Sequence, residues 1–148
     1  MSRIQQEIIE KDGVAVGVKI TCSPPDMFTD IVDFHKKFGI HYSGPPRDLP
    51  TELRKLRTYR FFEEIHEIQN AMDNHDLVEQ LDGYVDLIYI VLGTCHLHGW
   101  DFGEAWNRVH TANMKKELAS ETNPSKYGHS QDIVKPVGWV APNLEDLI

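Results

Sequence analysis

An all-α protein built on four helices is the fold class this sequence predicts. Three observations predict it. Apolar residues recur near a 3.6-residue period in four separate stretches. Aspartates stand where two of those stretches begin, and glycines stand where two of them end. The connections are short, as in a four-helix-bundle-like arrangement.

The elements follow in order. Residues 1–25 stand apart from the helical pattern. There Val14, Val16, Val18 and Ile20 alternate with smaller or polar residues after a Lys-Asp-Gly turn signal at 11–13, which predicts a short strand or hairpin. Pro24-Pro25 then punctuates the chain. A first helix is expected from Asp26 to Phe38, with Phe28, Ile31, Val32, His35 and Phe38 near helical spacing and Gly39 as its stop. Residues 40–50 form a loop rich in Gly and Pro. A long second helix is expected from about Thr51 to Met72, where Leu53, Leu56, Ile65, Ile68 and Met72 keep the period and Phe61 and Phe62 widen the stripe. Asp73-Asn74-His75 makes the turn, and Asp76 with Glu79 resembles a capping box.

The third helix carries Leu77, Leu81, Tyr84, Val85, Ile88, Leu92 and Cys95, and Gly99 ends it. It is apolar on most sides between Leu87 and Leu92, as suits a helix buried in a bundle or an oligomer. A homodimer or homotetramer is therefore expected. Asp101 with Glu104 opens a fourth helix, expected to reach about Leu118 and to bury Phe102, Ala105, Trp106 and Val109. Residues 120–148 lose the period and contain Pro124, Pro136 and Pro142, which predicts an ordered but irregular tail. At 148 residues the whole reads as one domain: an extension at 1–25, a helical core at 26–119 and the tail at 120–148.

Composition excludes several classes. No apolar run approaches the ~18 residues of a membrane span. The N-terminus, MSRIQQEIIEKDG, has no apolar core of a secretory signal. Two cysteines, Cys22 and Cys95, give no disulfide framework; Cys95 is expected as a buried thiol, and a reducing cytoplasm (a host cytoplasm, were the chain phage-encoded) as the location. A formal net charge of −8 argues against a nucleic-acid polymer as partner. It leaves small phosphorylated substrates open, provided that divalent cations stand between the two sets of negative charge.

The placement of carboxylates is thus the central question. In Glu63-Glu64-Ile65-His66-Glu67, the three glutamates share one side of a helix. Asp82 and Asp86 lie one helical turn apart, and Asp86 sits inside Tyr84-Val85-Asp86-Leu87-Ile88-Tyr89, where a lone solvated carboxylate is out of place. Taken alone, Glu-Glu-x-x-Glu is commonly a solvated face. On antiparallel neighbouring helices the two groups would converge, and only cations would relieve their repulsion. All-oxygen ligands suit Mg²⁺ or Mn²⁺ rather than Zn²⁺. A di-iron site would need Glu-x-x-His twice; Glu63 and His66 supply it once. His96-Leu-His98 points its rings apart on a helix, residues 73–79 lack the spacing of an EF-hand, and no phosphate-binding glycine loop occurs.

These motifs resemble a family. Glu63-Glu64-x-x-Glu67, then Asp82-x-x-x-Asp86-Leu-Ile-Tyr89, then His110-x-x-Asn113-x-x-Lys116 is similar to the MazG-like all-α NTP pyrophosphohydrolase superfamily, over roughly residues 26–140. That group includes dimeric dUTPases and phosphoribosyl-ATP pyrophosphatases, and the chain looks most like its small single-domain phage and bacterial members. The resemblance implies a MazG-type fold and hydrolysis of a nucleoside triphosphate to the monophosphate and pyrophosphate. Candidate substrates are dGTP or GTP, or dUTP. It implies that Glu64, Glu67, Asp86 and Asp82 hold the metal and that Glu63 orients or deprotonates the attacking water. Arg57, Tyr89, Asn113, Lys116, Lys135 and Trp139 would contact the substrate, the last two within a tail segment, Lys135-Pro-Val-Gly-Trp139, that can cover the site. One departure stands out. The second motif is usually Glu-x-x-Asp, and Gly83 occupies the glutamate position. Asp82 would then replace the ligand and Gly83 would leave room for metal or substrate. A helical dimerisation or adaptor module with a decayed site is the competing reading.

Overall fold

The computed structural model describes residues 3–11, 14–23 and 26–148. The chain is all-α in class. Helices α1 (Met27–Lys37), α2 (Thr51–Asp73), α3 (Leu77–His98) and α4 (Phe102–Asn113) are preceded by a hairpin of β1 (Arg3–Lys11) and β2 (Val14–Ser23). They are followed by an irregular tail containing the two-residue strands β3 (Glu117–Leu118) and β4 (Ile133–Val134) and a 3₁₀ turn at Glu145–Leu147. β1 and β2 pair antiparallel from Arg3 opposite Ser23 to Lys11 opposite Val14, with a register shift at Ile9 and Glu10. The expected strand or hairpin is thus a hairpin; Asp12 and Gly13 of its turn signal, and Pro24-Pro25, lie outside the described residues.

Local chemistry sets the helix ends. Asp26 Oδ1 accepts the Thr29 N–H at the start of α1, Asp76 Oδ1 accepts those of Val78 and Glu79 at α3, and Asp101 Oδ1 accepts that of Glu104 at α4. At the far ends of α1 and α3, Gly39 (φ 69°) and Gly99 (φ 72°) adopt the left-handed conformation that closes a helix. The next N–H groups turn back, from Ile40 to the His35 carbonyl and from Trp100 to that of Cys95.

The fourth helix is shorter than its periodicity predicts: it stops at Asn113, not Leu118. Lys115 and Lys116 donate to carbonyls only three residues back, and Glu117–Leu118 then pair with Ile133–Val134. The backbone at Glu117 and Leu118 is paired with a strand far along the chain, which a local period cannot reveal. Trp106 and Val109, expected inside, are exposed. The tail meets this helix elsewhere: Leu144 and Leu147 share a small apolar cavity with Phe102 and Ala105.

The chain divides into two compact units, Met1–His41 with Tyr59–Gly93 and Tyr42–Thr58 with Thr94–Ile148. In the first, Ile31, Ile68, Ala71, Ile90 and Leu92 are buried, and His35 and Glu64 are buried with them. Full burial of one such isoleucine contributes about 1.5–3 kcal/mol. Much of the apolar stripe expected on α2 and α3 faces outward in the single chain: Leu56, Ile65, Met72, Leu77, Leu81, Tyr84, Val85 and Ile88 are exposed. The second unit buries Leu49, His96, Leu97 and Ala112. Its loop after Tyr42 is stitched to the end of α3, where Arg47 Nε donates to the Leu97 carbonyl (3.2 Å) and the Arg47 guanidinium covers the Tyr42 ring at 3.5 Å. Cys95 is a free, half-buried thiol, and burial pushes its pKa up. Among the described residues no helix is long and apolar enough to cross a membrane.

Candidate active site

In α2 the inward face is set by Glu64, Ile68 and Ala71, which follow the i, i+4, i+7 spacing of one helix side. The apolar pair carries Glu64 inside with it. Glu64 is 4 % exposed, and its Oε2 has no hydrogen-bond partner. An ionised carboxylate in that position is costly. Burial accordingly raises the Glu64 pKa, and the charges of Glu67, Asp86 and Glu63 raise it further, while Arg60 opposes them. Glu67 and Glu63 are exposed, and Arg60 Nη1 donates to Glu63 Oε2. Arg60 went unremarked in the sequence, although its spacing of three from Glu63 was the signal for this pair.

Within the first unit, α3 returns antiparallel to α2. Three pairings show it: Gln80 Nε2 donates to the Ala71 carbonyl (3.3 Å), Gly83 abuts Ile68, and Asp86 acts on Glu64. As numbers rise on α3 they fall on α2. Of the two acidic groups expected to converge on antiparallel helices, Asp86 lies near enough for its charge to act on Glu64. Other expectations change. Asp86 is exposed in the single chain, as are Val85, Ile88 and Tyr89 around it, so it is not a carboxylate trapped in a core. Gly83 leaves no room for metal or substrate: it is buried, and a Cβ there would stand 2.7 Å from Ile68 Cγ1. Its missing side chain serves the close approach of two helices. Asp82 is exposed and is not among the charges acting on Glu64.

Tyr89, one turn after Asp86, meets Phe34 of α1 edge-on, with ring centroids 5.2 Å apart. Burial and then the charge of Asp30 raise its hydroxyl pKa. The remaining substrate candidates belong to the second unit. Arg57 Nε donates to Thr94 Oγ1 at 2.8 Å. Asn113 ends α4 and is exposed, and Lys116 lies beyond the helix rather than one helical turn from Asn113. The structure does bring Lys116, Lys135 and Trp139 together. The two ammonium groups lie 5.7 Å and 4.5 Å from the indole centroid, and Trp139 Nε1 donates to the Ala112 carbonyl of α4 at 2.8 Å.

A divalent cation suits the first unit's donor set. Its donors are carboxylate oxygens, one of them buried and without a partner, and like charges already burden it. The donors are not closed into a cage: among the described residues, no three Asp, Glu, His or Cys side chains are gathered as an ion site.

Four helices with an antiparallel α2–α3 hairpin carrying Glu64 accord with the MazG-like all-α NTP pyrophosphohydrolases, the superfamily to which the matching family belongs. Comparison with protein families is more particular. Residues 31–113, more than half of the chain and running from within α1 to the last residue of α4, match the family described as phosphoribosyl-ATP pyrophosphohydrolase, and the chain belongs to that family. It is thereby a hydrolase of the nucleotide pyrophosphohydrolase type. No curated protein matches the chain.

Proposed function

We propose that this protein hydrolyses nucleoside triphosphates to monophosphates and pyrophosphate with the help of Mg²⁺ or Mn²⁺, and that dGTP or GTP, or dUTP, is its substrate. The observation that supports it best is the buried, unpartnered Oε2 of Glu64 amid Glu63, Glu67 and Asp86. Glu64, Glu67 and Asp86 are the residues to hold the cation, with Asp82 as a further candidate. When bound, such an ion neutralises charge on phosphate oxygens and on the departing pyrophosphate. Glu63 is given the proton of the attacking water. Its Oε2 is engaged by Arg60, which orients the carboxylate and leaves Oε1 for the water. Water oxygen bonds to phosphorus of the α–β anhydride, and the anhydride P–O bond breaks to release pyrophosphate.

In the second unit, Lys116 and Lys135 are given to phosphate oxygens and Trp139 to a planar or sugar surface, since two cations already flank that indole. Arg57, Tyr89 and Asn113 complete the substrate contacts in this reading. The exposed apolar residues of α3 support assembly as a homodimer or homotetramer. The free Cys95 thiol supports a cytoplasmic place of action.

The test is pyrophosphate release from a panel of dGTP, GTP, dUTP and phosphoribosyl-ATP, the last being the substrate in the family's name. Release that needs Mg²⁺ and falls on the order of 100-fold or more in Glu64→Gln is expected. No release from any nucleotide by the folded protein would favour the adaptor reading instead.

A further inference from the structure

We infer that Arg108 is a positioning residue for nucleotide binding: by clamping Asn143 and Asp146 onto α4, it holds Trp139 beside Lys116 and Lys135. The inference rests on the proposal that those three residues contact the substrate.

The path of the tail carries the argument. After β4 the chain turns at Pro136–Trp139, with Gly138 at φ 80° and the Trp139 N–H donating to the Pro136 carbonyl at 3.1 Å. This turn presents the indole to the last turn of α4, where it bonds to Ala112. Arg108 lies one turn earlier on the same side of α4. Its Nη1 donates to the Asn143 carbonyl (3.0 Å), and Nη1 and Nη2 together grip the two carboxylate oxygens of Asp146. Its Nε meanwhile bonds to Glu104 at 2.7 Å, which fixes the guanidinium against its own helix. Residues 139–146 are therefore fastened at both ends along one helix.

Between the fastenings the tail stands off. A cleft of about 460 Å³ separates Val140–Asn143 from α4, with Asn107 and Thr111 on its helical wall and Lys115 just beyond the helix. With little packing in the middle, the ends hold the segment. At one end stands a single neutral indole–carbonyl hydrogen bond, a weak attachment by itself. At the other stands a charge-assisted, two-pronged grip, the stronger and more directional kind, beside Leu144 and Leu147, which line a small apolar cavity with Phe102 and Ala105. A solvent-exposed ion pair usually does little for global stability. Here it has a different consequence: it bears on where Trp139 is presented, while Lys135, four residues earlier, has its own tether, its carbonyl accepting from Asn123 Nδ2 at 3.0 Å.

The experiment uses the full chain with Mg²⁺ and the best nucleotide of the panel. Arg108→Gln and Asp146→Asn are each expected to raise KM about 3- to 10-fold with kcat within about twofold, the signature of lost binding rather than lost chemistry. Both variants should speed hydrogen exchange in residues 139–146. The charge swap Arg108→Asp with Asp146→Arg should return KM and exchange towards the parent values, which a general loss of stability would not do. Lys135→Ala is measured in parallel. If it raises KM while Arg108→Gln does not, the positioning role is overturned and the binding reading stands. If Lys135→Ala leaves KM unchanged, the binding reading fails and the inference falls with it. Unchanged exchange in 139–146 for Arg108→Gln overturns the clamp whatever the activity.

Discussion

Gly83 of α3 lies against Ile68 of α2 so closely that a Cβ at position 83 would stand 2.7 Å from Cγ1 of the isoleucine and 3.7 Å from its backbone nitrogen. Cγ1 is near the root of the side chain, so it yields only if the helices part. Position 83 is where the related motif carries a glutamate. In this chain a side chain at 83 and an isoleucine at 68 compete for the same volume, one turn from Glu64. Two effects oppose each other in Gly83→Ala. Helix propensity favours alanine by about 1 kcal/mol, and overpacking costs about 1–3 kcal/mol. We expect a net loss of thermal stability. In an Ile68→Ala background the same substitution should become stabilising, because only the propensity remains. Thermal melts of the four proteins decide it; a stabilising Gly83→Ala in the parent would show that the close approach does not constrain the hairpin.

Residues whose partners are near in sequence were the legible ones. Asp76 and Asp101 marked helix starts, and Gly39 and Gly99 marked ends, because capping is a matter of one to four residues. The effect of Asp86 on Glu64 was legible because a three-residue turn forces adjacent antiparallel helices. The tail was not. Arg108 finds Asp146 38 residues away, Trp139 finds Ala112 27 residues away, and Glu117–Leu118 leave the helical period to pair with Ile133–Val134. No local pattern announces such partners. Gly83 was misread for a related reason, since a missing side chain tells nothing of what lies opposite.

Glu64 makes the metal-free protein sensitive to pH, and the sign is fixed by the direction of its shift. Its folded-state pKa lies above the ordinary glutamate value of 4.5, chiefly from burial. The folded state therefore favours the neutral carboxyl. Its contribution to stability is fully present below the ordinary value and is lost as pH rises through the raised one. The melting temperature of the metal-free parent should thus fall relative to Glu64→Gln as pH rises from below the ordinary glutamate value through the raised one. Mg²⁺ should recover the parent at pH 7 and do less for the variant. Parallel melting curves across this range, with and without Mg²⁺, would remove the buried carboxylate from the cation site.

Asp82 tests the point where the chain leaves the related motif. It is exposed and four residues from Asp86, hence near the same side of α3. As a ligand, direct or through water, it would make Asp82→Ala need a much higher Mg²⁺ concentration for activity, on the order of 10-fold. As a solvated helix residue it would leave the Mg²⁺ titration superimposed on that of the parent. In that case three carboxylates, Glu64, Glu67 and Asp86, suffice.

The outward face of α3 is the last consequence to test. Leu77, Leu81, Tyr84, Val85 and Ile88 follow helical spacing and are exposed in the single chain, Leu77 at 77 % and Leu81 at 67 %. A stripe of this kind on a helix is normally covered. We propose that a second copy of the chain covers it. Leu81 is the informative position because it contributes little to the fold of its own chain. A substitution at an exposed site changes stability by about 0.5 kcal/mol or less, whereas a lone charge buried in an interface costs several kcal/mol (about 3–5 where its partner is missing). Leu81→Arg should therefore leave the helical circular dichroism of the chain intact and shift its mass by light scattering at micromolar concentration from at least a dimer to a monomer. The neutral change Leu81→Met, which keeps the apolar surface, should leave the assembly in place. A monomeric parent at that concentration, or an Arg variant that assembles as the parent does, would show that this face is not where copies meet.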